Sequence, residues 1–330
     1  RNYGNVMKAI VTGGTGFLGD HLVRNLLENG WHVIVLARNV KNEKWIDSEY
    51  VEYRAVDIVD SISLDAVFES VHVVFHCAAL SSVWGKYKDF YNVNVVGTKN
   101  VVASCEKYNV SKLIYVSSTS VYFDFKDEGY INESHSISSR FANDYARTKY
   151  LGEQEVLNHN GKINVVIIRP RGIVGDGDKS IMPRLIRVAQ KGYFPLFYKG
   201  EALVDVTYVK NVVEGLMLCA KVNHINREIF NISNDQPMKV KDLLDLVFKN
   251  KDVKYLKLPY KIVFLFAWLL EYFSKLFDGG EPKLTMYGVG LLAHTQVLDI
   301  TKAKQILGYS PIYSIEDAVD KYLEWENDCA

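Results

Sequence analysis

The sequence predicts an α/β fold, a doubly wound parallel sheet followed by a smaller C-terminal domain. A glycine-rich stretch separates a buried strand from an amphipathic helix near the start of the chain, and strand-like and helical segments alternate after it. The chain of 330 residues, 48% of them hydrophobic, is long enough for one large unit and a smaller partner. We expect residues 7–175 to form the first domain, with 203–233 partly returning to it, and 176–330 mainly the second.

The first strand, the first helix and the glycines between them are typical of a dinucleotide site. Residues 8–11 form a short apolar run, and the apolar residues from Leu18 to Leu27 recur on one helical face. Glycine lets the backbone turn tightly and approach a phosphate, and the following helix N-terminus offers free N–H donors to a pyrophosphate. The pattern predicts a Rossmann-type sheet that binds a dinucleotide. The candidate residues of this turn are Gly13, Thr15, Gly16, Phe17, Leu18 and Gly19.

The second predicted strand, residues 32–36, ends just before Arg38. An acidic residue there would hydrogen-bond the ribose hydroxyls of NAD, whereas an arginine suits the 2′-phosphate of NADP. Arg38, with Lys41 and Lys44 nearby, therefore favours NADP(H), and NAD(H) stays open as the alternative. A solvated charge at a strand end is the other interpretation of Arg38.

Four more strands are expected, and each ends at residues suited to a ligand crevice. Ligands of open α/β sheets bind outside the carboxyl ends of the strands, so small residues there let a cofactor lie against the backbone. The expected strands are 51–56, 71–77, 112–116 and 163–168, with a helix at 94–107. They end at Asp57 and Ile58, at Ala78 and Ala79, at the serine cluster 117–120, and at residues 169–173.

A helix over residues 143–159 carries Tyr145 and Lys149. Residues four apart lie one turn apart on one face, so the phenol and the ammonium can share a pocket. A nearby positive charge lowers the pKa of a tyrosine, and a serine hydroxyl beside it can polarise a carbonyl. The pairs Tyr108–Lys112 and Tyr122–Lys126 have the same spacing, but neither is convincingly helical.

The segment 260–277 contains nine consecutive apolar residues, 262–270. Such a run is too short to cross a bilayer, which needs about 20 residues. Two interpretations stay open: a helix packed over a substrate cleft, or a lid that admits an apolar substrate or rests on a membrane surface.

Composition excludes several classes of function. Lys plus Arg and Asp plus Glu both number 39, so the chain has no net positive charge that would favour binding to nucleic acid. The four cysteines are far apart and form no CxxC, which fits a reducing compartment, and we expect a cytoplasmic protein. His72 and His76 are the only close histidines and fall in a strand-like run, so we expect no metal site.

Taken in order, these motifs resemble the extended short-chain dehydrogenases/reductases over nearly the whole chain from Met7. The resemblance implies that Ser118, with Thr119 as the fallback, binds the carbonyl oxygen, while Tyr145 exchanges the proton and Lys149 lowers its pKa and holds the nicotinamide ribose. It also implies that Asn94 supports a proton-relay water. It places Val116, Pro170 and Ile173 at the cofactor, and a homodimer interface at the helices around 86–107 and 143–159.

Within that superfamily the chain is most similar to the 3β-hydroxysteroid dehydrogenase group, and especially to bacterial 2-alkyl-3-oxoalkanoate reductases. The resemblance implies an oxidoreductase that interconverts a ketone or β-keto acid, long-chain or steroid-like, and its secondary alcohol. Arg38 departs from the acidic residue usual in NAD-using steroid members. The supporting stretches are 84–87, 169–175, 204–209, 230–234, 280–282 and 307–311.

Two other functions stay open. Nucleotide-sugar epimerases and dehydratases resemble the first half equally, but they commonly carry an arginine for the sugar-nucleotide diphosphate where this chain has Val204. An apolar residue there favours an apolar substrate. The second alternative is a non-catalytic NADP-binding sensor or assembly protein.

Two residues are candidate substrate contacts besides Ser118. Trp84 lies in one of the stretches that resemble the group, and Arg171 follows the last sheet strand. Arg171 either pairs with a substrate carboxylate or makes a structural or phosphate contact.

Overall fold

A computed structural model of the chain describes residues 6–40, 46–277 and 279–329. The strands of these residues are β1 (Lys8–Thr12), β2 (His32–Ala37), β3 (Val51–Ala55), β4 (Val73–His76), β5 (Lys112–Val116), β6 (Glu128–Ile131), β7 (Asn164–Pro170), β8 (Ile173–Val174), β9 (Tyr193–Leu196), β10 (Leu203–Val204), β11 (Thr207–Tyr208), β12 (Glu228–Ile232), β13 (Met238–Lys239), β14 (Lys254–Lys257) and β15 (Gln296–Leu298). The α-helices are α1 (Phe17–Glu28), α2 (Ser61–Asp65), α3 (Tyr87–Tyr91), α4 (Thr98–Lys107), α5 (Asp144–Leu157), α6 (Ile181–Val188), α7 (Val209–Lys221), α8 (Val240–Val247), α9 (Tyr260–Leu276), α10 (Met286–Ala293) and α11 (Ile315–Cys329).

Seven parallel strands form the main sheet in the order β12-β7-β5-β4-β1-β2-β3. Apolar side chains of α1 and α7 pack on one face, and those of α2, α4 and α5 pack on the other. The central strands are therefore buried on both sides, which explains why their sequences are continuous apolar runs rather than alternating ones. The predicted doubly wound parallel sheet is confirmed.

The chain passes between the main sheet and the smaller part more than once. A second sheet has the order β13-β10-β15-β6, so β6 of the first half pairs with β15 near the C-terminal end. In the other direction, β12 joins the edge of the main sheet beside β7, and α7 packs against α1. The two parts share their cores through these crossings.

Several elements differ in length from the sequence-based expectation. The strand expected at 163–168 reaches Pro170, and residues 203–208, expected to return partly to the first domain, contain two short strands, β10 and β11. The helix expected from Asn94 begins at α3 and continues to the end of α4 through a π-helical segment, Asn92–Gly97. Within that segment, a Cβ on Gly97 would lie 2.6 Å from Ile58 Cδ1, so a larger residue there would force the Ile58 side chain to move.

The segment 260–277 forms α9, which packs beside α10 to make a helical pair that we call the roof. Ala267 of α9 is fully buried with Val289 and Ala293 of α10 and with Phe197. The opposite side of α9 is exposed. Within the described ranges, no helix combines the length and the apolarity that crossing a bilayer demands.

A buried ion pair fastens α5 to the main sheet. Arg169 of β7 donates two hydrogen bonds to the Glu153 carboxylate of α5, at 2.8 and 2.6 Å, and both side chains are at most 3% exposed. Arg169 also donates to the Tyr122 hydroxyl at 2.7 Å. Because a buried charge needs a partner and hydrogen bonds, this geometry fixes the position of α5 over the sheet.

Replacing Glu153 should therefore destabilise the fold. We expect Glu153→Gln to lower the free energy of unfolding by about 3–5 kcal/mol, since it leaves the buried Arg169 charge without its counter-ion. Glu324→Gln, which breaks the exposed pair with Lys321, is the control and should change little. Denaturant unfolding measures both, and equal stability of Glu153→Gln and the wild type would contradict the role of the pair.

Candidate active site

The glycine turn between β1 and α1 is shaped so that a phosphate group can approach its backbone. Gly13 has φ +68°, and a Cβ there would lie 2.8 Å from Ala78 Cα of the neighbouring loop. Gly16, at the start of α1, is exposed, and no side chain caps the first-turn N–H groups. An uncapped helix N-terminus beside glycines fits a pyrophosphate.

A buried hydrogen-bond chain holds Ala78 against this turn. The Ala78 N–H donates to Thr12 Oγ1 at 3.1 Å, and Thr12 Oγ1 lies 2.7 Å from His76 Nδ1. His76 Nε2 lies 2.9 Å from Thr98 Oγ1, which donates to the Asn94 carbonyl at 2.8 Å. Burial lowers the pKa of His76 to about 3, so the ring is neutral at pH 7. One assignment of donors and acceptors satisfies every group: the Thr12 hydroxyl donates to His76 Nδ1, and His76 Nε2–H donates to the Thr98 hydroxyl.

This network was not expected from the sequence, in which His76 was considered only as a possible metal ligand. A histidine at the end of a buried strand is a signal, but its threonine partners lie on other elements. Among the residues that the structure describes, no group of three or more His, Cys, Asp or Glu side chains could hold a metal ion.

The other predicted cofactor residues lie at the same edge of the main sheet. Asp57 follows β3, is exposed, and accepts a hydrogen bond from the Val59 N–H at 3.0 Å, while Ile58 is buried against Gly97. Ala79 follows β4 and is partly exposed. Arg38 follows β2 directly and is exposed. Lys41 and Lys44 lie outside the described residues. The turn residues Thr15, Phe17 and Leu18 are partly buried.

Tyr145 and Lys149 lie on the face of α5 that meets the end of β5. Asn143 caps the helix by accepting a hydrogen bond from the Ala146 N–H at 2.8 Å. The Lys149 ammonium donates to the Val116 carbonyl at 2.7 Å and lies 4.2 Å from the centre of the Tyr115 ring. Lys149 is thus held at Val116, two residues before Ser118, and Ser118 lies close enough to Tyr145 to lower the pKa of its phenol.

The electrostatics of this group differ from the expectation. Burial raises the pKa of Tyr145 to about 12, with Tyr287 adding to the effect, and the group that lowers it is Ser118 rather than Lys149. Burial also lowers the pKa of Lys149 to about 7, against the opposing influence of Glu153. Burial disfavours the charged form of both side chains, and the expected lowering of the Tyr145 pKa by Lys149 stays a prediction.

Asn94 is buried, and its side-chain amide makes hydrogen bonds to two neighbouring segments. Its Oδ1 accepts from the Leu80 N–H at 2.8 Å, and its Nδ2 donates to the Leu80 carbonyl at 3.3 Å and to Thr148 Oγ1 at 3.1 Å. These bonds join the loop after β4 to α5. The relay water expected at Asn94 stays a prediction.

Arg171 carries a buried charge without a matching counter-ion contact. Its side chain is 7% exposed, and within the described part of the chain its Nε has no hydrogen-bond partner. Burial lowers the pKa of the guanidinium, while Tyr287 and Asp205 oppose that effect. Tyr287 of α10 therefore acts electrostatically on the pKa of both Tyr145 and Arg171, and it was missed because no local pattern marks it.

The remaining predicted contacts lie on β7, on β8 and in the loop before α3. Pro170 ends β7, and its carbonyl accepts a long hydrogen bond of 3.5 Å from Thr119 Oγ1. Ile173 begins β8 and pairs with Thr207 of β11. Trp84 is partly buried, and the Lys275 ammonium of α9 lies 5.4 Å from the centre of its ring. Trp84 thus lies beside the C-terminal end of α9.

Comparison with known proteins gives consistent results. The sequence model of the 3-beta hydroxysteroid dehydrogenase/isomerase family matches residues 10–261. The chain is 32% identical to sterol-4-alpha-carboxylate 3-dehydrogenase, decarboxylating, of Mus musculus, over 96% of this chain and 90% of that protein. It is 30% identical to 2-alkyl-3-oxoalkanoate reductase of Shewanella oneidensis, over 96% and 85%.

Solved structures share the fold. UDP-glucuronic acid 4-epimerase of Bacillus cereus, in complex with NAD, superposes with a TM-score of 0.78 at 21% identity, covering 98% of this chain and 97% of that one. At this identity the likeness concerns the fold alone.

The low pKa of Lys149 gives a prediction for stability. Since burial lowers that pKa from 10.5 to about 7, folding releases a proton at pH values between the two. Over this range the free energy of unfolding of the wild type should rise relative to that of Lys149→Met, by about 1.4 kcal/mol per pH unit. Denaturant unfolding of both proteins from about pH 7.5 to about pH 9 measures the difference. A difference that stays constant with pH would contradict the assignment.

Proposed function

The chain belongs to the 3-beta hydroxysteroid dehydrogenase/isomerase family, and we propose that it reduces an apolar β-keto acid to its β-hydroxy acid with NADPH, or catalyses the reverse. The enzyme class, an NAD(P)-dependent oxidoreductase of the extended short-chain dehydrogenase/reductase type, follows from the family and from the relatives. The observation that carries the substrate proposal is the buried Arg171 guanidinium, whose Nε has no hydrogen-bond partner among the described residues and whose pKa is influenced by the same Tyr287 that acts on the pKa of Tyr145.

The names of the two relatives describe one chemical unit. A sterol 4-carboxylate oxidised at carbon 3 and a 3-oxoalkanoate both have one carbon between the carbonyl carbon and the carboxylate. Arg171 suits that carboxylate because a buried guanidinium without a full set of partners gains most from an anionic one. Pairing there would set the distance from the carboxylate to the Tyr145 hydroxyl.

The roles of the side chains follow from their positions. Tyr145, neutral at pH 7 because burial raises its pKa, donates its phenolic proton to the carbonyl oxygen during reduction and takes it back in the reverse direction. Ser118, which lies beside Tyr145, donates a hydrogen bond to the same oxygen and stabilises the charge that develops on it. Lys149, held by the Val116 carbonyl, is placed to bind the nicotinamide ribose. When bound, the cofactor supplies or accepts the hydride.

NADP(H) is the proposed cofactor. The support is Arg38, an exposed guanidinium directly after β2, where the adenosine ribose of a dinucleotide lies in sheets of this type. Asp57 is exposed after β3, the strand next to β2, and its carboxylate accepts a hydrogen bond from the Val59 N–H. NAD(H) is the alternative, and NAD is present in the Bacillus cereus epimerase structure.

A nucleotide-sugar epimerase is the second candidate, since the fold is shared with UDP-glucuronic acid 4-epimerase. Against it, Val204 is 6% exposed and packs in the core of the smaller part. An apolar side chain there cannot neutralise a diphosphate. The apolar side chains of the roof favour an apolar substrate instead.

The assembly and the location are proposals as well. A homodimer through the helices around 86–107 and 143–159 is supported by the half-exposed pair Tyr87 and Tyr91 on α3, whose ring centres lie 5.8 Å apart. A cytoplasmic location is supported by three free thiols, Cys77, Cys105 and Cys219.

The proposed activity predicts turnover of apolar substrates only. Oxidation of NADPH and NADH is followed with long-chain 3-oxo acids and steroid ketones, and the products formed from UDP-sugars are analysed directly. We expect NADPH to be preferred, ketones to be reduced, and Tyr145→Phe to lose at least about a hundredfold in kcat, because the proton donor is gone. Conversion of the sugars alone would establish the epimerase alternative, and cofactor binding without any turnover would leave the sensor alternative open.

The carboxylate contact predicts a selective effect of Arg171. We expect Arg171→Met to raise KM for a 3-oxo acid by about tenfold or more while leaving KM for the corresponding methyl ester nearly unchanged. Arg171→Lys should restore part of the affinity. An equal rise for acid and ester would show that Arg171 is structural.

A further inference from the structure

Arg171 has a charged neighbour, Asp205, to which the proposed mechanism gives no role. In the parallel pair of β8 and β11, Ile173 lies opposite Thr207, and the same register extended two residues back brings Arg171 opposite Asp205. Two hydrogen bonds fix this approach. The Thr207 N–H donates to the Gly172 carbonyl at 3.0 Å, and the Thr207 hydroxyl donates to the Arg171 carbonyl. The backbone therefore holds Arg171 and Asp205 side by side.

These two opposite charges are buried together without direct contact. Asp205 is 0% exposed and Arg171 is 7% exposed. Within the described ranges Arg171 forms no ion pair, and one polar atom of each side chain, Arg171 Nε and Asp205 Oδ1, has no hydrogen-bond partner. Asp205 Oδ2 accepts a long hydrogen bond of 3.4 Å from the Leu298 N–H. Because buried charges are ordinarily paired, a guanidinium left unpaired beside a carboxylate can still bind a further anion.

Access differs between the two side chains. A ligand can reach Arg171 through the exposed part of its side chain, whereas Asp205 has no exposed surface. Asp205 can therefore act on a ligand only through its charge. In a site with little water such a charge acts strongly over a distance of several ångströms. The charge of Asp205 thus changes the field that a ligand of Arg171 experiences.

Asp205 changes its charge near neutral pH. Burial raises the pKa of its carboxyl to about 6, and Arg171 opposes the rise. The other groups that act on this carboxyl or respond to it are Ser233, the Leu298 N–H, Asp235 and Tyr309. Asp235 adds to the rise, but it is exposed and paired with Lys304. The phenols stay neutral, since burial raises the pKa of Tyr309 and also that of Tyr287, the other titratable group that acts on Arg171.

We propose that Asp205 is a positioning residue that sets how strongly Arg171 binds the substrate carboxylate, an inference that rests on the carboxylate site of the proposed function. The ionised Asp205 offsets part of the desolvation cost of the guanidinium and repels the carboxylate of the substrate. When Asp205 is protonated, the repulsion ends and the full charge of Arg171 acts on the substrate. Affinity for the acid is therefore high below about pH 6 and lower above it, whereas affinity for an uncharged analogue is constant.

Calorimetric titration of the full chain tests this role. The ligands are a long-chain 3-hydroxy acid and its methyl ester, added with NADP⁺ to protein that carries Tyr145→Phe, in which turnover is slow. The acid stays ionised from about pH 5 upwards, because free carboxyl groups have a pKa near about 4. Between about pH 5 and about pH 7.5 we expect Kd for the acid to rise about tenfold and Kd for the ester to stay constant.

Two further exchanges identify the group responsible. Adding Asp205→Asn should lower Kd for the acid about tenfold at about pH 7.5 and abolish its pH dependence, because the repelling charge is gone. A merely structural residue would not improve binding when it is replaced. Asp235→Asn is the matched control: it removes a nearby exposed carboxylate and should leave the pH dependence in place.

The outcomes separate this role from the proposed function. If the acid does not bind, or if Arg171→Met weakens acid and ester equally, the carboxylate site is absent and both proposals fail. If Arg171→Met weakens the acid alone, but Kd for the acid is independent of pH or its pH dependence survives Asp205→Asn, only the role of Asp205 is overturned. Equal weakening of both ligands by Asp205→Asn would overturn it as well. Circular dichroism checks folding, and should Asp205→Asn fail to fold, the pH dependence of acid against ester binding still decides.

Discussion

The buried contact between Arg169 and Glu153 is the constraint on which the geometry of the site depends. It joins the carboxyl end of a central strand to the third turn of α5, and through Tyr122 it also reaches the turn that follows Ser118. Tyr145, Lys149 and Glu153 are spaced by four residues on one helical face, so fixing the last member fixes the first two. A charge placed in the interior costs desolvation energy, and here two hydrogen bonds and a counter-ion offset that cost.

The same burial governs the chemistry. Burial raises the pKa of the Tyr145 phenol and lowers the pKa of the Lys149 amine. In the protein without ligand, burial therefore favours the neutral form of both side chains. His76 is likewise neutral and serves as a connector between β1, β4 and the π-helical segment. A site of this kind responds strongly to any charge that a ligand introduces, because little water is present to screen it.

Local sequence patterns predicted the elements whose form depends on neighbours in the chain. The glycine turn requires a positive φ at Gly13 and a close approach to Ala78. The residue types themselves, a glycine and an alanine, indicate both requirements in the sequence. Long-range partners could not be predicted in this way. Tyr287 lies far along the chain from Tyr145 and Arg171, and nothing in α10 marks it. Glu153 was overlooked although it follows Lys149 by four residues, since a glutamate on a helix ordinarily faces solvent.

The way the chain crosses between its two parts also has a consequence for its synthesis. The strand β7 gains its outer neighbour only when residues 228–232 have been made, and β6 gains its partner only with residues 296–298. During synthesis the open edge of the main sheet therefore moves from β7 to β12, which is the edge strand of the completed sheet. Open edges invite pairing with other chains, so we expect β7 to be most exposed to such pairing in the interval before residues 228–232 emerge.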